Sequence, residues 1–303
     1  MTEAEFIAAL RTLPLHPGAR ELRDDAAIVG GLVVTTDTLV EGVHFLPTDP
    51  PADVAWKLVA VNLSDLAAKG ATPEGVLLNL PLGGEAWDRP FLAGLAEILA
   101  AHDVPLIGGD TVSLPDGAPR VLTCTAIGRD AAAPPRSGAR AGDALWVTGT
   151  IGDAGLGLAI ARGGQGPAEL LAAYRRPRPL LAEGRSLAPE VHAMADVSDG
   201  LLIDASRMAA ASGLAVTIDL AAVPLSPHAP ADRADRAGRL AAATAGDDYQ
   251  LLFAAPPGWA PPVPATLVGT FAAGRGLALV HEDEDVPLPP RLGFEHACIA
   301  RPR

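Results

Sequence analysis

Leu32–Asp37 reads LVVTTD, an aliphatic run that ends in two hydroxyls and a carboxylate. The β-branched valines favour a strand, and the polar end would put hard oxygen ligands where a strand opens onto a cleft, as Mg²⁺ prefers; the plainer alternative is a turn cap. Working outward, apolar strands and amphipathic helices alternate, punctuated by Gly, Pro or Asp. Candidate strands are Ala26–Val29, Leu32–Asp37, Val76–Leu80, Val104–Ile107 and Val121–Ile127, and candidate helices are Ala52–Lys69 and Glu85–His102. This alternation predicts an α/β (α+β) protein.

With 303 residues the chain exceeds one ordinary domain, so two are expected. Residues 130–143, DAAAPPRSGARAGD, lack periodicity and read as a linker or ordered crossing loop, which places the boundary between 1–135 and 136–303. Beyond it, Ala144–Thr148, Leu214–Leu220, Tyr249–Ala254 and Thr266–Phe271 read as strands, and Asp153–Ala161 and Leu201–Ala211 as helices. Proline-dense Pro256–Pro264 must be a loop.

Hydrophobic residues make up 49% of the chain and aromatics 4%, so Ala, Leu and Val must fill the core. A formal charge of −13, from 36 acidic and 23 basic residues, argues against nucleic acid or an anionic membrane as partner. A phosphate ligand would therefore need metal ions. Two cysteines, Cys124 and Cys298, form neither a disulfide framework nor a zinc site, which fits a reducing cytoplasm. The opening MTEAEFIAALRTL is acidic and amphipathic, unlike a signal peptide, and no run of about 18 apolar residues suggests a membrane span.

The aspartates gather at the edges of apolar runs. Asp65, in KLVAVNLSDLAAKGA, has Lys69 four residues on, so an i,i+4 ion pair is the ordinary explanation. Its apolar neighbours Val61, Leu63, Leu66 and Ala67 imply a buried helix, where a carboxylate needs a cation. In VPLIGGDT, Gly108 and Gly109 after a strand could admit phosphate oxygens while Asp110 takes a metal; a tight turn with an Asp cap is the alternative. In MADVSDGLL, Asp196 and Asp199 flank Ser198 before a helix: one carboxylate could be an N-cap, but two so close favour a cation. AGDDYQLLF again places acids, Asp247 and Asp248, at the entrance of a strand, and His44 in VEGVHF could contact a substrate or be a satisfied loop histidine.

No Walker lysine motif, protein-kinase signature set or G-x-S-x-G elbow occurs, and GTIGDAGLG at Gly149–Gly157 lacks the spacing of a dinucleotide loop. Any nucleotide must be gripped another way.

In order, DDAAIV from Asp24, TTDTLVEGVHF, KLVAVNLSDLAAKGATP, LIGGDT, RSGARAGD, VTGTIGDAGLGLA, DVSDGLLID and AGDDYQLLF resemble the thiamine-monophosphate kinase family, in the ATP-binding superfamily of aminoimidazole ribonucleotide synthetase. The resemblance covers most of the chain, and the ordered set is specific where each motif alone is modest. It implies an N-terminal α/β domain whose mixed sheet helps form a homodimer, and a C-terminal α/β domain against it. It further implies transfer of the ATP γ-phosphoryl group to thiamine monophosphate, giving thiamine diphosphate and ADP, with several Mg²⁺ ions.

Carried over by motif, the resemblance makes Asp24, Thr35, Thr36, Asp37, Asp65, Asp110, Asp196 and Asp199 metal ligands, Gly109, Asp110, Arg136 and Ser198 ATP contacts, and His44, Asp247 and Phe294 substrate contacts. Two positions depart from the family pattern: Arg23 stands where Gly is usual, and Asp247 where Glu is usual. The rival readings are a sister enzyme acting on a purine precursor, selenide or a carbamoyl group, and a non-catalytic Mg-nucleotide sensor. LVEGVHF and NLSDLAAKGATP favour the thiamine enzyme, and the N-terminal reactive Cys of a selenide enzyme is lacking.

Overall fold

The computed structural model describes residues 2–129 and 133–296. After helix α1 (Glu3–Leu10), the first sheet is built from β1 (Ala27–Val29), β2 (Leu32–Val40), β3 (Thr72–Pro81), β4 (Leu106–Val112) and β5 (Val121–Arg129), in spatial order β1-β2-β5-β3-β4. All its pairings are antiparallel except β3 with β4. Helices α2 (Pro51–Ala68) and α3 (Glu85–His102) complete this half.

The second half contains β6 (Ala144–Thr148), α4 (Asp153–Ala161), α5 (Ala168–Arg175), α6 (Leu181–Leu187), β7 (Ala193–Asp196), α7 (Leu201–Ser212), β8 (Leu214–Asp219), α8 (Arg236–Ala243), β9 (Leu251–Ala255), β10 (Ala265–Ala273), β11 (Gly276–His281) and β12 (Glu284–Val286). Its sheet runs β12-β11-β8-β10-β6-β9-β7, antiparallel apart from β8 with β11. The chain is thus a two-domain mixed α/β protein.

α2 is the element on which the site is built. Pro51 at its first turn pre-sets the helical φ, and Asp53 in that turn suits the positive end of the helix dipole. It packs on β2 and β5 on one side and on α6, β7 and β9 of the second half on the other. Leu58, Val59, Leu63 and Leu66 are fully buried there, each contributing about 1.5–3 kcal/mol. Gly184 of α6 sits so close that a Cβ would lie 2.0 Å from the carbonyl oxygen of Ala67, so only glycine permits this approach. Polar residues on so buried a helix must find partners from both halves of the chain.

The helices α3 and α4 and the strand β6 have the bounds expected from the sequence. The GGD segment differs: it lies inside β4 rather than in a turn after it. A Cβ on Gly109 would stand 1.9 Å from the carbonyl oxygen of Leu78, so this glycine serves strand-to-strand approach. Residues 256–264 form turns and irregular chain. Of the expected linker, residues 130–132 lie outside the described residues, as does Cys298. Among the described residues no helix is long and apolar enough to cross a membrane.

Candidate active site

Three carboxylates from three elements converge. Asp25 precedes β1, Asp65 lies on α2 and Asp196 ends β7, and one oxygen from each lies within 4.8 Å of the others. Asp37 of β2 adjoins Asp65. Each acid has its own support. Thr35 donates to Asp65, Ser64 donates to Asp196 at 2.5 Å, and the Asn62 side-chain oxygen accepts the Asp37 backbone N–H at 3.0 Å.

Cations occupy one end of this group. Lys69, fully buried at the end of α2, lies 2.5 Å from Asp24 and 2.9 Å from Asp25, and its ammonium also donates to the Met194 carbonyl. Arg20 pairs with Asp24 at 2.6 Å, and Arg136 pairs with Asp25. Burial pushes Asp25 up, but Arg136 and Lys69 outweigh it and hold its carboxyl at about 2. The other end has no such partner: among the described residues no basic side chain pairs with Asp37, Asp65 or Asp196. Burial, joined by the charges of Asp25 and Asp199, raises Asp37 to about 6. Burial and then Asp25 raise Asp196 to about 8, and burial with Asp37 and Asp196 raises Asp65 well above the carboxylate range. Carboxylates forced to share protons in a buried, oxygen-only pocket are a donor set suited to a hard divalent cation. The Cys124 thiol beside Asp37 is pushed up by burial and is no competing ligand.

A second cluster lies at the other end of α2. His44 packs against Phe294, ring centroids 6.4 Å apart, and His296 touches both at 5.3 and 5.0 Å. Burial first, and His296 second, lower the His44 imidazole's affinity for a proton. Asp247 accepts from Lys57 at 2.7 Å and from the Tyr249 hydroxyl at 3.0 Å. Backbone latches hold the loops together: Asp247 N–H donates to Ser198 O at 2.7 Å, Tyr249 N–H to Val197 O at 2.8 Å, and Phe294 N–H to Asp199 O at 2.9 Å.

Several expected ligands are thus gathered and others are not. Thr35, Asp37, Asp65 and Asp196 come together, and Arg136 reaches their edge. Asp24 gives its oxygens to Arg20, Lys69 and the Asp25 N–H, and it is Asp25 that faces Asp65 and Asp196. Thr36 is exposed on the opposite face of β2, bonded to the Cys124 carbonyl, because successive strand residues point to opposite faces. Thr35 and Thr36 therefore do not deliver their hydroxyls to one volume.

Asp199 pairs with Arg207, whose other partner is buried Asp204. Gly109 and Asp110 sit on exposed β4, three strands from β2, about 14 Å along the sheet. Residues assigned no role at the site from sequence are Asp25, Lys57, Ser64, Tyr249 and His296, and Lys69 is expected there only as an ion-pair partner of Asp65. The doubled acid at Asp24-Asp25 was a usable signal for the first; a lysine on an apolar helix face was one for Lys57 and Lys69.

The chain belongs to the AIR synthase related family: its N-terminal domain matches residues 23–129 and its C-terminal domain residues 140–286. Within that family it belongs with the thiamine-monophosphate kinases. It is 41% identical to the thiamine-monophosphate kinase of Caulobacter vibrioides over 97% of this chain and 91% of that protein. It is 37% identical to that of Escherichia coli K12 over 90% of each. The structure of AaThiL complexed with AMPPCP and TMP superposes with a TM-score of 0.85 at 29% identity, covering 98% of this chain and 97% of that one.

Proposed function

We propose that this chain transfers the γ-phosphoryl group of ATP to thiamine monophosphate, giving thiamine diphosphate and ADP. The observation that carries the reading is the pairing of two clusters on one helix, an acidic one at Asp65 and an aromatic one at Lys57 and His44. Eight residues separate Lys57 from Asp65, about 12 Å along the helix, a span suited to an acceptor whose phosphate meets the acids while its rings meet His44 and Phe294.

Asp25, Asp37, Asp65 and Asp196 would hold Mg²⁺, with Thr35 and Ser64 fixing the rotamers of Asp65 and Asp196. The metal would neutralise charge between two phosphate groups. Arg136, held by Asp25, would add a planar cation beside a phosphate, and Ser198 lies in the loop that joins the two clusters. The Phe294 ring would face the cationic thiazolium. A phosphate acceptor is already ionised at neutral pH, so no general base is required, and no catalytic base is assigned.

We further infer a homodimer. The edge strand β4 exposes Leu106, Ile107 and Val112 at 52, 51 and 47%, an apolar edge that a second copy would cover. A second copy would also be the route by which Gly109 and Asp110 approach a nucleotide. The two halves would divide at residues 135 and 136, and a cytoplasmic setting suits the acidic, cysteine-poor chain.

The test is ADP release with Mg²⁺, ATP and thiamine monophosphate. Release that requires all three supports the kinase, whereas nucleotide binding without release would favour a sensor.

A further inference from the structure

We infer that Lys57 is a positioning residue for the acceptor end of the site, acting through Asp247; the inference rests on the kinase reading above. Lys57 is among the largest buried side chains of the molecule, with 2% exposure, yet it ends in a charge. A charge so placed is costly unless fully partnered. Its ammonium donates to Asp247 at 2.7 Å and to the His44 carbonyl at 3.1 Å, and lies 4.3 Å over the ring of Tyr174. It therefore ties together α2, the loop after β2, α5 and the loop before β9.

The stretch it holds is not one that would hold itself. Asp247 and Tyr249 both adopt positive φ, 63° and 51°, a conformation unfavourable for residues with a Cβ and kept only where surroundings impose it. The Tyr249 hydroxyl takes one oxygen of Asp247 and Lys57 takes the other. Tyr174 is in turn fixed by buried Asp49, which accepts its hydroxyl at 2.8 Å and pairs with Arg175 at 3.0 Å. The Asp247 carboxylate remains 34% exposed, so it is open to a ligand while each of its oxygens is held by a protein donor. The side chain is one methylene shorter than glutamate, which makes its aim depend on what grips it. Lys57 also fixes the backbone carrying His44, the other substrate-facing group.

The experiment is a double-mutant cycle on the full chain, Lys57→Met, Asp247→Asn and both, with KM measured separately for thiamine monophosphate and for ATP. Each single change is expected to raise the KM for thiamine monophosphate at least about tenfold, the scale of one charge-assisted hydrogen bond, with the KM for ATP within about twofold. The double variant is expected to be no worse than Asp247→Asn alone. Multiplicative losses, an equal rise in both KM values, or an unchanged acceptor KM in either single variant would overturn it. Should Lys57→Met fail to fold, Asp247→Asn, altered at a partly exposed group, still decides: an unchanged acceptor KM there is contradictory. Absence of turnover in the unsubstituted protein would instead defeat the kinase reading.

Discussion

Ser64 of α2 donates a 2.5 Å hydrogen bond to Asp196 at the end of β7, joining the two halves of the chain at the acidic cluster. Both side chains are buried. Ser64→Ala removes the donor that favours the ionised carboxylate. It is expected to cost about 2 kcal/mol of stability, within the range for a buried polar group left without its partner. It should also weaken the Mg²⁺ requirement curve roughly tenfold, read by chemical denaturation and by Mg²⁺ titration of turnover.

Asp24 and Asp25 are neighbours with different roles. Asp25→Asn takes a ligand oxygen from the group shared with Asp65 and Asp196, and turnover should fall about 100-fold or more. Asp24→Asn leaves Arg20 without its carboxylate partner and Lys69 with one carboxylate in place of two. It should cost on the order of 3 kcal/mol while lowering turnover per folded molecule far less. Thermal denaturation with and without Mg²⁺ separates them: the ion should stabilise Asp24→Asn but not Asp25→Asn.

The pH dependence follows from the raised carboxylates. Asp37 at about 6 and Asp196 at about 8 bind protons in the folded state that the unfolded chain, near 3.8, has released. Their contribution to the metal-free protein is thus present at acid pH and lost as pH rises through about 6 and then about 8. Asp25, held at about 2, has the opposite sign and loses its contribution only as pH falls toward that value. Stabilisation by Mg²⁺ should therefore be larger at pH 8.5 than at pH 6, and Asp196→Asn should flatten the metal-free profile while abolishing activity. A thermal-shift series with and without Mg²⁺ checks both.

The exposed edge strand makes a separate prediction. Replacing Ile107 with Lys puts a charge on the apolar edge of β4 at no cost to the buried core, since the side chain is half exposed. The unsubstituted protein is expected to sediment as the inferred dimer and Ile107→Lys as a monomer. An unaltered dimer would move the interface elsewhere.

Much of the fold was legible because periodicity and punctuation agree. The helix α3 and the strand β6 are bounded by Gly, Pro or Asp and carry a clear apolar pattern, whereas α4 is apolar nearly all round and is marked by its Gly152-Asp153 entry. β7 was not legible: AMAD is four residues long and fully buried, too short for any period to show. The acidic cluster was read as a set, but its details depend on direction. Strand alternation sends Thr36 away from Thr35, and only the tertiary fold brings Lys69 to Asp24 and Asp25 in preference to Asp65, four residues back along the chain. Asp110 looked like part of the same shell because sequence order does not reveal that β5 and β3 lie between β2 and β4. Lys57 was missed for a similar reason, since its partner Asp247 lies 190 residues away.

Direct transfer between two phosphates within a carboxylate pocket can be followed with ATP labelled at the γ-phosphate. With Mg²⁺ and thiamine monophosphate, the label should appear in thiamine diphosphate in a one-to-one ratio with ADP, and should vanish from that product in Asp25→Asn. Label recovered as inorganic phosphate, or retained on the protein after the acceptor is added, would rule out direct transfer.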